Sequence, residues 1–178
     1  MKSYYAKFVT RTAVLLALCV AVQQFKSLSQ FITGPLVNAI LIIAALAVGL
    51  WSGIAIAVLS PVLAFLISPS PIMQAVPQLI PVIMVGNAII VVCVYVLRNQ
   101  KYWWAGLALG SVLKAGFLAL AVKAFIIPTF GGNLVEKQIT ALGLMFSYNQ
   151  LITAAIGSVI AGLLWLRLHK VQDFALTK

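Results

Sequence analysis

A chain of 178 residues in which 63% are hydrophobic and 8% charged lies far from the soluble norm of about one quarter charged, which excludes an ordinary water-soluble domain and describes an integral membrane protein. The net charge of +10 comes from twelve lysines and arginines set against Glu136 and Asp173 alone. These cations punctuate apolar runs and form no patch interleaved with aromatics, so they read as topology signals and not as a nucleic-acid surface.

A helix needs about 20 residues to cross a hydrocarbon core of about 30 Å. Six stretches qualify, at approximately 8–25, 35–50, 54–68, 79–97, 103–127 and 148–167. The expected fold is all-α: one six-helix membrane domain over residues 1–178. The N-terminus has a basic start but no small-residue cleavage site after the first run, so that run reads as a retained span. As a helix it places Ala13, Ala17 and Ala21 in one smooth stripe. Such a stripe either packs another helix of the same bundle or docks a separate protein.

Between the first two runs, Lys26 to Gly34 is too polar for lipid yet carries Phe31 and Ile32, as a loop folding over a pocket would. Trp51-Ser52-Gly53 reads as a tight hairpin with an aromatic at the interface, and Ser60-Pro61 interrupts the third run. Ser68 to Gln78 is an uncharged, proline-rich connection that is not helical throughout. The fifth run opens on the interfacial Tyr102-Trp103-Trp104, and from Pro128 to about Ser147 the chain leaves the bilayer through Gly131-Gly132 and a weakly amphipathic piece holding Glu136 and Lys137.

With the N-terminus cytoplasmic, Lys2, Lys7, Arg11, Arg98, Lys101, Arg167, Lys170 and Lys178 lie inside, and Lys26, Lys123 and Lys137 outside. This bias puts both termini in the cytoplasm and the loops 26–34, 68–78 and 128–147 on the outer face.

Amides are costly in hydrocarbon unless partnered, so each is either helix-to-helix glue or a ligand contact. Asn38, Asn87, Gln23 and Gln24, and Asn149 and Gln150 fall within or at the ends of spans, mostly toward the outer half, and their convergence there is the expectation of one externally open cavity. Phe31, Met73, Gln78, Phe130 and Tyr148 stand in or beside the outer loops. Lys114, near mid-span with no Asp or Glu in any span, is expected first to snorkel, then to meet carbonyls at a helix break, then to touch a polar ligand.

Cys19 and Cys93 read as core filler, with neither a disulfide nor a metal site indicated. Nothing marks an enzyme: His169 lies in the tail, and no phosphate loop or nucleophile motif occurs. The spans also lack the carboxylate relays that power secondary transport, so the protein either binds passively or borrows energy from a partner.

The chain resembles the substrate-binding S components of energy-coupling-factor transporters, small six-helix bacterial membrane proteins that scavenge vitamins. The likeness covers essentially the whole chain and is most specific at Ala13-xxx-Ala17-xxx-Ala21, which resembles the family's alanine motif for docking on a shared transmembrane partner. Gly34-Pro35-Leu36-Val37-Asn38, Leu59-Ser60-Pro61 and Pro81-Val82-Ile83-Met84-Val85-Gly86-Asn87 are similar to a branch found in Gram-positive bacteria. The resemblance implies a multi-pass subunit of the bacterial plasma membrane that binds a vitamin near the outer face and works with a transmembrane coupling subunit and two ATPases. ATP is used by the partners, and this subunit carries no cofactor of its own. The candidate binding residues are Gln24, Phe31, Asn38, Met73, Gln78, Asn87, Phe130, Tyr148 and Asn149. Their neutral amides suit a large uncharged ligand, cobalamin first. Pantothenate is second, because Lys114 or Lys26 would meet its carboxylate.

Overall fold

The computed structural model describes residues 2–25 and 29–168. The elements are α1 (Lys2–Gln24), α2 (Gln30–Ile43) extended by a π-helical turn (Ala44–Val48), α3 (Leu50–Ile67), the short α4 (Pro71–Ala75), α5 (Leu79–Leu97), α6 (Trp103–Ala121), a second π-helical turn (Val122–Ile126), α7 (Ile127–Phe130), a 3-10 turn (Gly131–Asn133), α8 (Glu136–Met145) and α9 (Tyr148–Leu168). No strand occurs among the described residues. Six helical stretches are long and apolar enough to span a bilayer, as the composition requires.

Spans α1, α3, α5, α6 and α9 follow one another as packed neighbours, and α2 closes the ring between α9 and α1 while leaning on α5. The sequence of α2 explains this place. Its second half, Ala39 to Val48, is apolar all round, and a stretch without a polar face belongs inside protein and not at its edge. Every residue from 38 to 49 is buried.

Two boundaries differ from expectation. The stretch 30–34 is the first turn of α2 and not loop, because Ser29 caps it: its Oγ accepts the Phe31 N–H at 3.1 Å. The hairpin expected at Trp51-Ser52-Gly53 lies instead at Gly49, whose φ of 130° lies outside the range side-chain-bearing residues favour. The Gly49 N–H closes the π turn on the Ala44 carbonyl at 2.9 Å, and α3 starts at the next residue. Trp51 is therefore an exposed first-turn residue.

The proline-rich connection holds a single turn, α4, capped by the Ser70 hydroxyl. Residues 127–147 form α7, the 3-10 turn and α8, which fold back over the same end of the bundle, where Leu134, Leu142 and Phe146 pack on Val76, Leu79, Leu118, Val122 and Ile126. A larger core fills the other half, around Leu41, Ile42, Leu46, Ile56, Ile90, Val91 and Val94.

Lys7 and Arg11 on α1, Arg98 and Lys101 in the turn between α5 and α6, and Arg167 on α9 lie at the side of the larger core. The exposed aromatics Trp51, Tyr102 and Trp104 belong to that end too, as does the Arg98 guanidinium, 3.9 Å above the Tyr95 ring. Lys26, His169, Lys170, Asp173 and Lys178, which entered the charge reading, lie outside the described residues.

Candidate ligand-binding site

The half of the bundle under α4 and α8 encloses a cavity of about 360 Å³. Its wall is assembled from every span: Gln23 of α1; Gln30, Thr33, Gly34 and Asn38 of α2; Ser60 and Pro61 of α3; Ile83 and Asn87 of α5; Lys114 of α6; and Gln150 of α9. Ser68 to Met73, with Phe146, close it from the loop side.

Depth follows from helix geometry. Asn38 stands eight residues inside the start of α2 at Gln30, and Asn87 eight inside the start of α5 at Leu79. At 1.5 Å per residue both amides lie about 12 Å below the rim. Lys114 comes up from the opposite direction on α6 and meets them. It is 3% exposed, and its Nζ donates to Oδ1 of Asn38 and, at 2.8 Å, to Oδ1 of Asn87.

The expectation that Lys114 snorkels is thus overturned. Its side chain is buried in protein between two amides, which supply the hydrogen bonds that water or headgroups would otherwise supply. The Asn38 amide is fixed in turn, its Nδ2 donating to the Gly34 carbonyl at 3.0 Å. Among the described residues the only carboxylate side chain is Glu136, exposed on α8, so the ammonium has no counter-ion in the wall. His, Cys, Asp and Glu form no metal-holding group among these residues.

Of the nine candidate binding residues, Asn38, Met73 and Asn87 are in the cavity wall and six are not. Gln24 is exposed and bonds back to the Val20 carbonyl at 3.3 Å. Its neighbour Gln23 turns inward, Nε2 lying 3.5 Å from the Ser60 carbonyl. The same one-residue shift in helical phase replaces Asn149 by Gln150. Phe31 and Tyr148 are 51% and 70% exposed, because they fall on the outward faces of the first turns of α2 and α9. Gln78 is exposed just before α5, and Phe130 packs edge-on against Phe125 at 6.1 Å, away from the cavity.

The wall also contains groups that the residue-by-residue reading passed over. The Ser60 Oγ is buried beside the weakly accepting Cys19 thiol and makes no hydrogen bond to nitrogen or oxygen among the described residues. Its signal was present, since a Ser-Pro pair inside an apolar run marks a place where a helix has something to do besides packing.

On the outside of α1, Ala13, Ala17 and Ala21 are all exposed, whereas Cys19 and Gln23 point into the bundle. Among the described residues the stripe therefore faces outward from the bundle and not into it. Internal close approach is built from glycines instead: a Cβ on Gly157 of α9 would lie 2.6 Å from the Pro35 carbonyl oxygen and 2.7 Å from Asn38 Cβ of α2.

Fold and cavity together define a multi-pass membrane protein with a polar-floored cavity in one half of its bundle. The sequence profile of the family described as ECF transporter, substrate-specific component, matches residues 7–168, and the chain belongs to that family. Comparison with curated proteins and with solved structures returns no match.

Proposed function

We propose that the protein is the capture subunit of an ECF importer: it takes a vitamin from outside the bacterial cell and delivers it to a transmembrane coupling subunit driven by two ATPases. The observation that carries the reading is the cavity, polar at its floor and lying at the end of the bundle opposite the cluster of lysines and arginines. Cations favour the cytoplasmic side, so the cavity opens outward and the start of α1 and the end of α9 lie inside.

The exposed stripe Ala13, Ala17 and Ala21 is the docking face for the coupling subunit. Small side chains let another helix approach closely where lipid offers no hydrophobic drive. The subunit itself turns nothing over: its floor groups hold and orient.

Among ligands, the sequence puts cobalamin first and pantothenate second. The cavity supports the reverse order. A volume of about 360 Å³ is at the small end of ligand pockets, which run from about 300 to 1,000 Å³, and a corrin ring would remain largely outside it.

Co-expression with a coupling subunit and its ATPases tests the reading. The three partners copurify with this chain, and proteoliposomes holding the complex accumulate vitamin only with ATP. A chain that purifies alone and supports no uptake with any such module overturns it.

A further inference from the structure

The capture reading does not say what kind of group the ligand brings to the floor of the cavity, and the hydrogen-bond pattern there does. Two of the three Lys114 hydrogens are taken by Asn38 and Asn87, and the third has no acceptor among the described residues. Because each Asn oxygen faces the ammonium, each amide nitrogen must face elsewhere. That of Asn38 reaches the Gly34 carbonyl, while that of Asn87 has no acceptor among the described residues. Ser60 adds a buried hydroxyl whose one polar neighbour among the described residues is the weakly accepting Cys19 thiol. Lys114, Asn87 and Ser60 all line the one cavity.

A floor made of unspent donors around one ammonium, with no carboxylate to balance it, is complementary to an anion. A single positive charge matches a monoanion, and a doubly charged phosphate would leave a net charge buried in the bundle, which is costly. We infer that the ligand carries a carboxylate, which enters first and comes to rest on Lys114, with Asn87 Nδ2 and the Ser60 hydroxyl donating to the same group. Its neutral remainder points toward Gln30 and Gln150 at the rim. This rests on the capture reading and adds to it the ligand's chemical class and its direction of entry.

The test uses the purified full chain in nanodiscs and isothermal titration with three matched pairs: pantothenate and pantothenol, biotin and biotinamide, nicotinate and nicotinamide, with cobalamin alongside. At least one acid should bind a hundredfold or more tighter than its neutral partner, the usual scale for leaving a buried charge unpaired. Lys114→Met should abolish that preference, and Ser60→Ala should weaken the acid roughly five- to tenfold while sparing the neutral compound. Thermal unfolding of both variants checks that they fold. If Lys114→Met does not fold, Ser60→Ala and the wild-type pairs still decide.

Equal affinity within every pair overturns the inference, as does tight cobalamin binding that Lys114→Met leaves unchanged, or no binding by any acid. In each of these cases the capture reading is judged separately, by whether ATP-driven uptake occurs with the coupling module.

Discussion

Lys114 shows how much of a membrane residue's role depends on what stands opposite it. An ammonium in mid-span is expensive, and here its hydrogen bonds come from the neutral amides of Asn38 and Asn87. The arrangement predicts the effect of supplying the missing charge. Asn87→Asp keeps the shape of the side chain and places a carboxylate beside Nζ, so the ligand-free protein should gain about 1–3 kcal/mol in stability, read as a higher unfolding temperature in nanodiscs. The same variant should lose affinity for an anionic ligand, whose place the aspartate has taken. A lower unfolding temperature would mean that Lys114 is already satisfied without a counter-charge. Asn38 and Asn87 were legible as groups that must find partners because a buried amide in an apolar helix needs one. Lys114 was ranked wrongly because sequence shows the charge but not the two oxygens that converge on it.

At the scale of elements, α2 and α9, which both line the cavity, meet closely beside it. Gly157 permits that approach, its missing Cβ leaving room for the Pro35 carbonyl. Gly157→Ala must push a methyl group against the Pro35 carbonyl and the Asn38 Cβ, and should cost about 1–3 kcal/mol as an overpacked interface does. It should also weaken ligand binding by drawing Asn38 away from Lys114, and unchanged titrations would separate the helix contact from the site. The outer face of α1 behaves in the opposite way. Since Ala17 is exposed, Ala17→Trp should leave folding and ligand affinity of the isolated subunit intact while abolishing uptake with the coupling module. Full transport by that variant would remove the docking role from the stripe. Helix phase was the least legible feature here: a one-residue difference puts Gln23 and Gln150 in the cavity wall in place of Gln24 and Asn149, and near-uniform apolarity leaves little periodicity to set it.

For the whole molecule, the orientation that the cations imply has a direct test. Cysteines introduced at Gln74, exposed beside the cavity mouth, and at Asn99, exposed at the cationic end, decide it in a background lacking Cys19 and Cys93. In intact cells an impermeant thiol reagent should label the first and spare the second. The reverse pattern would turn the cavity toward the cytoplasm and end the capture reading.

Composition and the spacing of apolar runs by themselves determined that this chain is a six-span helical membrane protein, since only helices of that length satisfy their own backbone in lipid. The uneven distribution of cations, a property of the chain and not of its packing, likewise supplied an orientation. The alanine stripe was visible as a pattern, but only the packing of α1 decided that it faces outward. The floor of the cavity was decided by tertiary structure alone. Asn38, Ser60, Asn87 and Lys114 come from four different helices, and no local signal shows that one ammonium will meet two amide oxygens across separations of 76 and 27 residues. In hydrocarbon the identity of a polar group states that it must find a partner, and only the fold states which one.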